Sequence, residues 1–147
     1  MILPFPVAFW SGALITDLTG AFAHDAFWYR MSAVLVMMGT IGAVLASVAG
    51  YVDYRTAPMS RKARGVATGH MVWSLVATAI FALAWFLRAS TFASPSGIAA
   101  TIVGAIVLFV AGYLGSELAN RYRIGISDAS PDRDAARGSG ARAKRRR

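Results

Sequence analysis

Cysteine is absent from this chain of 147 residues, histidine occurs only twice, and charged residues make up just 15% of it. Each scarcity removes a class of function. Without thiols there is no disulfide framework, no thiolate metal centre and no cysteine nucleophile. No P-loop, Rossmann fingerprint or metal-ligand spacing occurs, and no serine stands in a recognisable motif with a histidine and a carboxylate. The sequence therefore gives no footing for an enzyme. The low charge has a physical meaning of its own, because soluble domains carry roughly 25% charged residues to face water.

What is present is apolar. Hydrophobic residues make up 56% of the chain, and the mean hydropathy is +0.53. The formal charge of +8 fits this once the cations are located. Nine of the fifteen Lys and Arg residues lie from Arg121 onward, and four more lie between Arg55 and Arg64. Such segregation marks a membrane protein.

Four apolar stretches, at about residues 3–22, 29–51, 68–87 and 96–118, are each long enough to be a transmembrane helix. A helix needs about 20 residues to cross a hydrocarbon core of ~30 Å. The runs are rich in Ala and Leu and lack alternation, which excludes strands and an outer-membrane barrel. Pro4 and Pro6 fall in a first helical turn, where a missing N–H costs least. Ser94-Pro95-Ser96-Gly97 reads as a turn into a helix start. The expectation is an all-α, integral membrane four-helix up-down bundle over residues 1–124. A disordered basic tail would follow over residues 125–147, too polar to bury a core.

Orientation follows the positive-inside bias. With four spans, the N-terminus, the loop from Val52 to Val66 and the C-terminus share one side, which takes thirteen of the fifteen cations. Only Arg30 and Arg88 face the other. That predicts a multi-pass protein of the bacterial inner membrane, with both ends cytoplasmic. Ala21-Phe22-Ala23 has the form of a signal-peptidase site, but no cation precedes the apolar run as a signal requires. The basic end could bind anionic lipid, or act solely as a topology determinant. No aromatic pattern supports nucleic-acid binding.

Small residues suggest how the helices pack. Gly39 and Ala43 share a helical face, as do Gly42, Ala46 and Gly50, while Gly104, Gly112 and Gly115 mark helix four. Small-xxx-small faces permit close approach in lipid. They are expected in the bundle interior, with a homodimer face as the alternative.

Ionisable groups near the membrane are functional candidates by default. Asp17 and Arg88 end their helices on the outer side and are expected to pair, the alternative being two separate headgroup-level charges. Asp53, His70 and Glu117, with Tyr113 and Asn120, are expected to converge at the cytoplasmic face. They would form a polar or proton site there, or simply pair with neighbouring arginines. No cofactor is predicted. His24 and His70 should lie a bilayer thickness apart, so they cannot both ligate one haem, which would need a ligand from another chain. Trp10, Trp28, Tyr29, Trp73 and Trp85 read as interface belts and packing.

Leu3-Pro4-Phe5-Pro6-Val7-Ala8-Phe9, Asp17, Phe27-Trp28-Tyr29 and Gly39 together resemble the membrane family catalogued as domain of unknown function 2231. So do Ala49-Gly50-Tyr51-Val52-Asp53-Tyr54, Gly69-His70-Met71-Val72, Phe86-Leu87-Arg88 and Gly112-Tyr113-Leu114-Gly115-Ser116-Glu117-Leu118. The family usually carries Gly-Gly where Gly115-Ser116 stand here. The resemblance implies a four-helix membrane domain, at times fused to redox modules, and no established activity. The expected role is a non-catalytic scaffold or accessory subunit of a membrane complex. The alternatives are a redox-linked subunit binding a haem-type cofactor near His70 with a partner chain, and a small proton or ion permeation protein.

Overall fold

The computed structural model describes residues 4–56 and 59–121. They form four helices, α1 (Pro4–Ala23), α2 (Ala26–Thr56), α3 (Arg61–Phe86) and α4 (Pro95–Arg121), with no strand among the described residues. The tail expected over residues 125–147 lies outside them.

Local chemistry sets the helix ends. His24 leaves α1 with φ 53° while its N–H bonds the Gly20 carbonyl at 3.0 Å, a left-handed C-terminal cap made without glycine. Asp25 Oδ1 accepts from Phe27 N at 2.9 Å and starts α2. The Ser60 hydroxyl caps α3 through Ala63 N at 3.2 Å. Ser94 caps α4 through Gly97 N at 3.3 Å, with Pro95 first in the helix.

The helices outrun their apolar segments. α2 has 31 residues, which at 1.5 Å each gives about 46 Å against a core of ~30 Å. Val52 to Thr56 therefore continue α2, and Arg61 to Val66 already belong to α3, so most of the expected cytoplasmic loop is helical. Hydropathy locates the hydrocarbon; backbone hydrogen bonding runs on past it until a cap intervenes.

α1 packs chiefly on α2 and α3 on α4, and contacts of α2 with α3 and of α1 with α4 close the bundle. Tyr29 lies against Gly20, Leu35 against Gly12 and Trp10 against Gly39, so α1 and α2 are antiparallel neighbours. Phe81 against Gly104 and His70 against Gly115 fix α3 on α4 in the same way. Across the diagonal, Trp10 and Phe81 stack with ring centroids 4.3 Å apart and planes 6° from parallel. A Cβ on Gly39 would sit 2.5 Å from Trp10, and one on Gly104 would sit 2.9 Å from Phe81. Two glycines thus make room for the two largest core side chains. Trp10 is therefore a core residue. Gly42 has only Pro6 at contact distance, while a Cβ on Gly50 or Gly112 would meet nothing within 4 Å. Gly39, Gly104 and Gly115 pack inward; Gly50 and Gly112 do not, because a stripe at i, i+4, i+8 winds off a straight contact line.

The polarity of the bundle is inverted relative to a soluble protein. Its exposed surface carries Val34, Ile41, Val44, Leu45, Ile106 and Phe109, while Asp17, Ser32, Arg88 and Thr101 are buried. In water, that much exposed apolar area is a liability; in lipid it is the matching solvent. Three of the helices, α2, α3 and α4, are long and apolar enough to cross a membrane. α1 has 20 residues, about the thickness of the core, and carries Asp17 inside the bundle.

Candidate functional site

The deepest polar feature lies at the end of the bundle where α1 stops and α4 starts. Leu87 caps α3, and Arg88, one residue beyond, turns back into the bundle rather than out to water. Its Nη1 donates to Asp17 Oδ1 at 3.0 Å and its Nη2 to Asp17 Oδ2 at 2.5 Å, a two-pronged match of guanidinium to carboxylate. Asp17 is 1% exposed and Arg88 2%. Nη1 also donates to the Phe92 carbonyl at 3.2 Å, and Nη2 to the Thr101 hydroxyl at 2.8 Å. The Thr101 hydroxyl in turn donates to the Gly97 carbonyl at 3.1 Å. The pair thereby ties α1 to α4 and to the loop before it.

Space for the arginine comes from Gly97, where a Cβ would lie 2.7 Å from Arg88 Cγ. By the α1–α2 register, Ser32 stands level with Asp17, so each helix or its end gives one polar residue to this layer. The Ser32 hydroxyl, Arg88 Nε and, deeper in the core, Trp10 Nε1 are buried and bond no other described group. Two buried ions cost several kcal/mol each to desolvate, which only close geometry and further hydrogen bonds can offset. Here both conditions hold.

The opposite end is different. Asp53 is exposed near the end of α2, and Tyr113 faces outward from α4. Glu117 pairs with Arg121 at 2.9 Å one turn on, and Asn120 donates to Ser116 at 3.1 Å. Among the described residues, no hydrogen bond or ion pair joins any two of Asp53, His70, Tyr113, Glu117 and Asn120. Tyr113, Glu117 and Asn120 follow one another along α4, while Asp53 stands on α2 and His70 on α3, so the five are not joined into one bonded cluster. His70 instead bonds across helices, with Nδ1 2.8 Å from the Ala111 carbonyl and its ring in the notch of Gly115. Tyr54 and Thr68 join α2 to α3 at 3.0 Å.

Sequence reasoning also missed Thr101, Gly97 and the Phe92 carbonyl. A threonine in a helix commonly bonds its own preceding turn, so nothing distinguished Thr101 from Thr16 or Thr78. Among the described residues no group of three or more His, Asp or Glu side chains could hold a metal ion.

Residues 1–128 match the family model DUF2231, described as a predicted membrane protein. No curated protein and no solved structure matches the chain.

Proposed function

The chain belongs to the DUF2231 family of predicted membrane proteins, and from that footing we propose that it is a non-catalytic scaffold or accessory subunit of a membrane complex. The observation that carries this reading is the fate of buried charge. Asp17 and Arg88 are the buried ionisable residues among those described, and the carboxylate and both terminal guanidinium nitrogens are bonded within the same chain, with Arg88 Nε alone left over. A catalytic or permeation site needs groups left open to a substrate or ion; here the groups hold the bundle together. The cation distribution supports an inner-membrane protein with both ends cytoplasmic. Affinity purification of the full chain from native membrane in mild detergent should recover a stoichiometric membrane partner or a homo-oligomer. A lone monomer in every preparation would sink the proposal.

One observation favours a second reading, a redox-linked subunit. With Nδ1 donating to the Ala111 carbonyl, His70 keeps an Nε2 lone pair, the tautomer that a metal-ligating imidazole uses. His70 would supply one axial ligand of a haem, which would bring electron-transfer chemistry. His24 sits at the far end of the bundle, so the second ligand would come from another chain. An absorption spectrum of the same purified sample decides: absence of a Soret band rules the reading out.

A further inference from the structure

Beside the buried pair, a cavity of about 280 Å³ opens between the start of α2 and the loop joining α3 to α4, with Tyr29, Arg30, Ser90, Thr91 and Phe92 in its lining. We propose that it binds the phosphate group of a lipid headgroup, a site that does not depend on the scaffold reading.

Charge comes first. No carboxylate lines the cavity, and the Arg88 guanidinium beside it is held by Asp17. Arg30 has no carboxylate partner among the described residues and lies over the Phe92 ring, 5.8 Å from its centroid. The nearest acidic residue in sequence, Asp25, caps α2 through Phe27 N and does not line the cavity. The cavity therefore carries one uncompensated positive charge.

Hydrogen-bonding capacity has the same sign. Among the described residues, the N–H groups of Ser90, Thr91, Phe92 and Ala93 enter no backbone hydrogen bond, and the Ser90 and Thr91 side chains are exposed beside them. Ala26 and Arg30 lie in the first turns of α2, where the helix dipole is positive. Arginine with amide and hydroxyl donors is the donor set that phosphate oxygens accept from.

Position selects the source of the phosphate. Trp28 and Tyr29 on α2 and Trp85 on α3 surround this end of the apolar bundle, and such aromatics mark headgroup depth. The volume lies just below the ~300 Å³ at which drug-sized sites begin, a scale suited to a headgroup.

The test uses the full chain in an uncharged detergent, with lipid occupancy read by native mass spectrometry during titration with phosphatidylglycerol, and with inorganic phosphate in a parallel arm. Arg30→Gln is expected to weaken lipid binding about tenfold, the effect of losing one charge-assisted hydrogen bond, while Arg30→Lys keeps most of it. The basic tail also attracts anionic lipid, but it is common to every variant and cancels in the comparison. Thr91→Val, which leaves the charge in place, should weaken binding less, and an unchanged thermal unfolding of Arg30→Gln checks that its fold is intact. Equal lipid affinity in Arg30→Gln and the parent chain would overturn the proposal. So would Arg30-dependent binding of inorganic phosphate without any of lipid, which would assign the cavity to a soluble anion.

Discussion

The two ends of the bundle hold similar side chains in opposite states. At one end, Asp17 and Arg88 are shut inside, with four hydrogen bonds from the guanidinium to three partners. At the other, Glu117 and Arg121 pair at 2.9 Å along one helix, with side chains 24% and 71% exposed. The lesson is that depth, rather than the number of charges, decides what an ion pair contributes. An exposed pair at this spacing is worth a few tenths of a kcal/mol, since water competes for both groups. A buried pair is held chiefly by the penalty for separating it.

That contrast can be broken from the buried side. Arg88→Leu leaves the Asp17 carboxylate enclosed and unpaired, and should lower unfolding stability in detergent by about 3–5 kcal/mol. Adding Asp17→Leu should recover much of that loss, because the charge needing a partner is gone. A denaturant titration of both variants checks the pair, and no recovery in the double variant would show that the arginine acts through packing alone. Next in size is Gly104→Ala, which pushes a methyl into Phe81 and should cost about 1–3 kcal/mol. Gly112→Ala, two turns along the same helix, meets open space and should stay within about 0.5 kcal/mol. The smallest effect is expected from Glu117→Gln, at most about 0.5 kcal/mol, with the loss shrinking further as salt is raised. A large, salt-insensitive loss there would erase the distinction between the two ends.

The same distinction explains what could be read in advance. Runs of apolar residues located four helices, because lipid tolerates little else over that length. Helix ends were less legible. Thr56 and Arg61 lie in water-facing sequence where hydropathy is silent, and only a cap such as Ser60 marks the boundary. Asp17 and Arg88 were nameable as candidates because a charge at membrane depth is costly, and they fall at the same depth from the same side. Thr101 and Gly97 were not, since neither residue type is unusual in a transmembrane helix. Asp53, His70 and Glu117 could be grouped by depth alone, but bonding among them, which the described residues do not show, also requires the right rotation of each helix. Glycine spacing carries that same ambiguity: it marked Gly39 and Gly104, which receive rings, and equally Gly50 and Gly112, which receive nothing.

The buried pair has a further consequence for the order of synthesis. Asp17 leaves the ribosome 71 residues ahead of its counter-ion. Until Arg88 emerges, α1 brings an unpaired carboxylate to the bilayer, at a cost below the roughly 2.5–3.5 kcal/mol of a charge at the helix centre. α2 is apolar enough to stay in lipid by itself, so α1 is the helix that settles there fully only when the end of α3 arrives. In a nascent chain truncated just before Arg88, α1 should be more open to aqueous labelling than in the finished protein.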